Sequence, residues 1–548
     1  MALLAAQCGP LGAQQGAAVP AVEPARLLEM FDTKRLVLTH IAPGEVDETA
    51  TIAAARPIYQ GEVIVGHDLL ETTPVASAAQ VAPASPKVGG NGRWFVKSGT
   101  AAAATADGRT WATAMPDLQA ALAAAEVGGG GIIWVTAGTY LPTAGTDRAQ
   151  SFKLRLGVAL YGGFIGTETT LDQRDWEKYP TVLSGDIGKS GVATDNVYSI
   201  VTGANNAVLD GFTISGGYAL DGGGPGGPAG SGPPPSGTRP GGTGAPGAGG
   251  PIHITPQTVL SGPGRGSGAG IMIYQCAPVI RNCTFSGNTC DGKGGAIYND
   301  FGCSPTLANC LFTGNRAPGG GALGNDGGSA PLLVHCTFSG NEATQEGAAL
   351  YQGTGPANNP IVSGCILWGN RCAEGPADNS DHVLIGEDQV GVRSVMADCV
   401  FEANEARWRG GAAMFDYGAR PRLSKCHFTN NQSGCHGGAL AMVSRASQLE
   451  NTIACLTDCT FEANRATGRG GAIAAADSAI FGLKQCELTK HTAGTGGGAL
   501  ALESRARAIL LECRETANTS RAGTRRFCAP AAPVKKYGHP AQCCLRST

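Results

Sequence analysis

From residue 283 to residue 513 the apolar positions of the chain alternate rather than spiral. A cysteine is followed two residues later by phenylalanine in CTFSGN at 283–288, CLFTGN at 310–315 and CTFSGN at 336–341. The pattern returns as CVFEAN at 399–404, CHFTNN at 426–431 and CTFEAN at 459–464. CILWGN at 365–370 is a variant, and CELTKH at 486–491 lacks both the Phe and the Asn. Apolar residues two apart mark one face of a strand, whereas a helix needs spacings of three and four. The cysteines from Cys283 to Cys513 are separated by steps of 27, 26, 29, 34, 27, 33, 27 and 27 residues. A period of that size marks a repeat architecture.

Two further signals travel with the cysteine. Upstream stands Pro-x-(apolar)-x-x-Cys, as from Pro278 to Cys283 and from Pro421 to Cys426. Downstream comes GGAI at 294–297, GAAL at 347–350, GGAL at 437–440, GGAI at 470–473 and GGAL at 497–500. About 27 residues suffice for three short strands and their turns, one rung of a parallel β-helix whose strands stack about 4.8 Å apart. The predicted ladders are Cys283/Phe285/Asn288, Cys310/Phe312/Asn315, Cys336/Phe338/Asn341, Cys399/Phe401/Asn404, Cys426/Phe428/Asn431 and Cys459/Phe461/Asn464. Cys and Phe are expected to fill the interior. Asn is expected at a corner, where it tolerates the left-handed conformation and its amide bonds along the stack.

Outside the repeats the pattern changes. Residues 116–126 form the one clear amphipathic helix, and apolar strand-like runs stand at 132–140, 158–169, 182–188 and 207–217. Residues 221–267 are Gly- and Pro-rich without a three-residue period, which excludes collagen and marks a flexible insertion. The expected organisation is therefore 1–90 poorly ordered, 91–220 opening rungs, 221–267 insertion, 268–513 repeat rungs and 514–548 a disordered tail. Composition sharpens this. The 84 glycines among 548 residues are about twice ordinary usage, and corners without a Cβ explain them. A net charge of −3 argues against a nucleic-acid partner, which needs a basic face. No apolar run is long enough for a transmembrane helix.

The FxxN and GGA(I/L/V) pairs resemble the repeats of polymorphic outer-membrane (Pmp-type) proteins and related right-handed parallel β-helices. That resemblance covers about 94–220 and 268–513. It implies an all-β, right-handed solenoid with a helix capping its open end, and a role in adhesion at the cell envelope. Such proteins end in a membrane barrel, which 35 residues after Cys513 cannot build, so autotransport is not expected. The short apolar start, Met1 to Gln7, makes no convincing signal peptide. A second resemblance, of residues 34–71 to the C-terminal piece of metallo-β-lactamase-fold hydrolases of the ribonuclease Z and arylsulfatase branch, would make His40 a metal ligand. One ligand is not a site, and the readings are a fusion remnant or a gene-model artefact.

Chemistry on the coil requires carboxylates converging on one outward face. One cluster qualifies: Asp398, Glu402, Lys425, His427, Asp458 and Glu462, over three rungs. Asp398 and Asp458 are two rungs apart, about 9.6 Å, near the upper end of the inverting-glycosidase range. Against this stands a solvated face where a basic rung separates two acidic ones, with only Trp368 and Trp408 as aromatic neighbours. The nineteen cysteines hold no zinc spacing. Stacked thiols fill space or, in a secreted chain, form disulfides through extra cysteines such as Cys290, Cys303, Cys372, Cys435 and Cys455. The expected function is a non-catalytic extracellular or cell-surface interaction module whose partners are glycans or proteins, without cofactor. The alternatives are a polysaccharide lyase or glycoside hydrolase, and a metallo-hydrolase remnant.

Overall fold

The computed structural model describes residues 92–99, 106–220, 266–353, 359–372, 393–416, 418–444 and 451–521. Elsewhere it assigns only the backbone of short strands at Ala2–Ala5, Arg35–Thr39, Glu62–Val65, Ile385–Gly386, Phe527–Cys528 and Val534–Tyr537.

A rung contains four strands, not three. In one turn the chain runs through Ile271–Tyr274, Val279–Arg281, Thr284–Ser286 and Thr289–Cys290 before Ile297–Asp300 opens the next. The segment Pro-x-(apolar)-x-x-Cys-x-Phe is divided into two strands by a single left-handed residue before each cysteine: Asn282 (φ 53°), Asn309 (φ 52°), His335 (φ 53°) and their successors. Strands at equivalent positions pair in parallel, Phe285 opposite Phe312 and Phe312 opposite Phe338. The result is a parallel β-helix with four faces. The first is a 14-stranded sheet, the second 12-stranded, the third 10-stranded, and the fourth is divided into two 6-stranded sheets.

The predicted ladders line the interior. Phe285, Phe312 and Phe338 are fully buried and stack with ring centroids 4.8 and 4.6 Å apart, as do Phe401, Phe428 and Phe461 at 4.6 and 4.7 Å. Leu367 fills the break between the two runs. Each cysteine of the six predicted ladders is buried, and its Sγ lies against backbone carbonyls, Cys310 against Ile280 at 3.6 Å and Ala308 at 3.4 Å. Burying each such Phe contributes on the order of 1.5–3 kcal/mol.

The asparagines depart from expectation in one respect. They are wholly buried, and none takes positive φ; the left-handed residue is the one before, such as Gly287, Gly314 or Ala403. The Asn side chain is occupied along the stack instead. Asn315 Oδ1 accepts from the N–H and Nδ2 of Asn288 at 3.1 and 3.0 Å, while its own Nδ2 donates to the Phe285 carbonyl at 3.0 Å. The same three bonds recur through Asn341, Asn370, Asn404, Asn431 and Asn464. At the next step His491 stands in the ladder, its Nδ1 accepting from the Asn464 N–H at 3.1 Å. The stack continues past Cys513: Arg514–Thr516 pairs with Glu487–Thr489, and Asn518 Oδ1 accepts from the His491 N–H at 3.0 Å.

The glycines of GGA have a specific cause. The first of each pair has φ between 60° and 70°, as at Gly294, Gly437 and Gly497, and a Cβ there would run into the carbonyl three residues on. A Cβ on the second, as at Gly438 or Gly471, would overlap the backbone of the next rung.

Before the first complete rung lies the helix Leu118–Val127, started by the Asp117 side chain accepting from the Gln119 N–H at 2.9 Å and stopped at Gly128. Its buried face, Leu118, Ala121, Leu122 and Ala125, joins the interior core and packs on the strands Arg93–Val96 and Gly131–Thr136. Outside the coil, Trp134, Phe164, Phe95 and Trp111 make a second small aromatic core, with Trp134 and Phe164 stacked at 4.6 Å. The Gly/Pro-rich 221–265, His40, and the region 1–90 apart from its three strands lie outside the described residues.

Candidate functional site

The six residues singled out as an acid-base cluster do share one side of the coil, but in two different settings. Asp398 (φ 54°), Lys425 (φ 51°) and Asp458 (φ 53°) occupy the left-handed corner before the cysteine, the column that also holds Asn282, Asn309, His335, Gly364, Gln485 and Glu512. Asn and Asp are the side chains that best tolerate this conformation. The backbone therefore accounts for Asp at 398 and 458. Glu402, His427 and Glu462 stand on the second face, where register places Val400, His427 and Thr460 in one column and Glu402, Thr429 and Glu462 in the next. His427 Nδ1 meets the Thr460 hydroxyl at 2.5 Å. Glu462 pairs with Lys490 at 2.7 Å, and that ammonium holds its carboxyl below the usual range.

Two polar clusters that sequence reasoning did not find lie elsewhere. On the fourth face, Asp326 receives Lys293 at 3.0 Å and the Tyr298 hydroxyl at 2.9 Å, and Lys293 also donates to the Tyr351 hydroxyl at 2.9 Å. Burial holds the adjoining Asp300 carboxyl and the Tyr298 hydroxyl above their ordinary ranges. On the first face the buried Asp210 binds Arg174 at 2.7 Å, Arg281 at 2.6 Å and the Asn282 amide at 2.8 Å. Both clusters satisfy themselves internally and tie neighbouring rungs together. Neither occupies a repeat-defining position, so no period announces them. Among the described residues no group of three or more His, Cys, Asp or Glu is placed to hold a metal.

One open cleft, of about 510 Å³, lies near the N-terminal end of the coil, lined by Thr139, Thr143, Thr146, Ser184, Asp186 and Ser190 among others. Thr139 and Ser184 belong to the first two strands of the second face. The Asp186 carboxylate accepts from the Gly191 N–H at 3.1 Å and from the Ser190 hydroxyl at 3.3 Å.

Residues 252–390 match the right-handed β-helix region family, and residues 458–476 match the repeat of the chlamydial polymorphic membrane proteins. The chain is a right-handed parallel β-helix protein with Pmp-type repeats. No curated protein and no solved structure shows significant similarity to it. The Pmp-type match begins at the Asp458 corner and takes in Cys459, Phe461, Asn464 and Gly470. These are the residues that build the β-helix, so the likeness is carried by architecture. Neither match reaches residues 34–71, where the metallo-hydrolase resemblance and His40 lie. No described helix of the β-helix protein is long and apolar enough to cross a membrane.

Proposed function

We propose that the β-helix is a non-catalytic interaction module displayed at the cell surface or outside the cell. The observation that carries this reading is the continuous second face. Its parallel strands run from Gly138 to Thr516, backed from Cys283 onward by the Phe, Cys and Asn ladders. A surface fixed by so many interior bonds presents side chains at regular intervals with little ordering cost on binding. The Pmp-type repeat supports a surface location.

The test is fractionation of the native host followed by binding of the purified full chain to intact cells. Surface or extracellular recovery with saturable binding is expected. Confinement to the cytoplasm, or no binding, overturns the reading. Release of sugar from a glycan that Asp398→Ala or Asp458→Ala abolishes would make the protein an enzyme instead.

A further inference from the structure

The second face changes character along its length. Its outward positions fall in two columns. One runs Ser184, Ser215, Ser286, Thr313, Ser339 and Trp368, in direct register from strand to strand. Beside it stand Thr213, Thr284, Leu311, Thr337 and Ile366. Neither column holds a charged side chain over this stretch. From the next rung onward, charges enter: Glu402 follows Trp368, and Glu462, Glu487 and Arg514 come later.

Three other observations coincide with the uncharged stretch. Ser184, its first member, lines the open cleft, whose other polar residues are hydroxyl-bearing save Asp186, itself held by the Ser190 hydroxyl and the Gly191 N–H, so the cleft adjoins the column. Trp368, its last member, is 52% exposed, and Ile366 and Leu311 in the adjoining column are 43% and 37% exposed. The corner beside the column is glycine at Gly287, Gly314, Gly340 and Gly369, and a Cβ on any of them would meet nothing within 4 Å. On the charged rungs the same corner carries Ala403, Asn430, Ala463 and Lys490. The bare ledge therefore runs along the last four rungs of the uncharged stretch; at the first two, a Cβ on Gly185 or Gly216 would meet the Gly216 carbonyl at 2.5 Å or Asn196 Nδ2 at 3.6 Å. On the third face the charges beyond the ledge are paired with each other, Arg316 with Glu342 at 3.2 Å and Arg371 with Glu405 at 3.7 Å.

A straight-registered track of hydroxyls with an aromatic ring at one end and a cleft at the other suits one kind of occupant. It must be linear, because the track spans five strand steps, about 24 Å, and is one residue pair wide. It must be uncharged, because along the two columns a polyanion or polycation would lose its hydration with no opposite charge to meet it. It must offer both hydroxyls and apolar faces, to pair with Ser and Thr and to stack on Trp368 and Ile366. We propose that this track, from the Ser184 cleft to Trp368, binds a neutral linear glycan chain. The proposal rests on the surface-module reading and names its partner.

The experiment is calorimetric titration of the full chain with cellohexaose and chitohexaose as neutral probes and hexagalacturonate as the anionic one. At least one neutral hexasaccharide should bind. Trp368→Ala and Thr313→Glu should each weaken it about tenfold or more, while Thr489→Glu, in the same column beyond the track, should change it less than about twofold. Circular dichroism of all three variants should match the parent. No binding of either neutral probe, a preference for hexagalacturonate, or affinity indifferent to both track variants overturns the proposal. Cell binding without glycan binding would refute the track and leave the surface module standing. Glycan binding by a cytoplasmic protein would do the reverse.

Discussion

The ladder asparagines hold together what the apolar residues only fill. Asn341 Oδ1 accepts two bonds from Asn315, and Asn341 Nδ2 donates to the Phe312 carbonyl and to Asn370. Asn341→Ala would leave the buried Asn315 N–H without that partner and would take one bond each from Asn315 Nδ2, the Phe312 carbonyl and Asn370 Oδ1 in the interior. At about 1–3 kcal/mol for each orphaned group, this variant should be less stable than Asn309→Ala, whose exposed side chain bonds only Asn282 at 2.8 Å; urea unfolding of both would rank them, and equal loss would contradict the ladder. His491 tests the same column through pH. Burial pushes its pKa from 6.5 down to about 4. Between those values the unfolded chain binds more protons than the folded one. Its contribution to stability is thus complete above pH 6.5 and declines as pH falls towards 4, by about 3 kcal/mol in all. His491→Asn restores the repeat residue and should remove that part of the acid sensitivity; urea midpoints at pH 7 and pH 4.5 would read it. The sequence made Cys, Phe and Asn legible because identical residues stack on themselves. At Asp398 and Asp458 it showed two acids two rungs apart, while the left-handed corner that each occupies is visible only in the backbone.

Among the elements, the helix Leu118–Val127 was the clearest non-repeating feature of the sequence, and its four buried residues face the core as an amphipathic stripe should. We assign it the role of covering the interior at the N-terminal end, since the first rung otherwise leaves its core open. Leu122→Ala should cost about 3 kcal/mol. In a solenoid each rung contacts only its neighbours, so the loss should be local. Hydrogen exchange should therefore quicken first in Arg93–Val96 and Gly131–Thr136 and stay unchanged in Leu440–Val443; uniform quickening would rule out the capping role. The strands themselves were less legible than the helix. Three per rung were expected where four exist, because a corner of one residue leaves no run of turn residues between the strands and shows only as a slip in apolar spacing from two to three, Ile280 to Cys283. The GGA segments, read as corners alone, also lead into the fourth face, where Ile297, Leu323 and Leu350 stack.

For the molecule as a whole, the repeat should behave as a one-dimensional stack whose units can be removed. Residues 399–425 make one period of 27 residues, from Cys399 to the corner residue before Cys426. Deleting them joins Asp398 to Cys426, and both Asp398 and Lys425 hold the same left-handed conformation, φ 54° and 51°, so the junction keeps its geometry. Cys426 would then stack on Cys365, Phe428 on Leu367 and Asn431 on Asn370, pairs of the kind the coil already contains. The shortened protein should remain folded, with unchanged ellipticity per residue and a melting temperature a few degrees lower. Deleting only residues 399–411, about half a period, joins Asp398 to Ala412 and sets the fourth-face strand Ala413–Phe415 where a second-face strand belongs. It should fail to fold. If both deletions gave equally folded protein, or neither did, the ladders would not be what specifies the stack. The same pair bears on function, because the neutral track ends at Trp368, before the deleted rung. The in-phase deletion should keep neutral-hexasaccharide affinity, whereas a function spread along the whole face would weaken with its length.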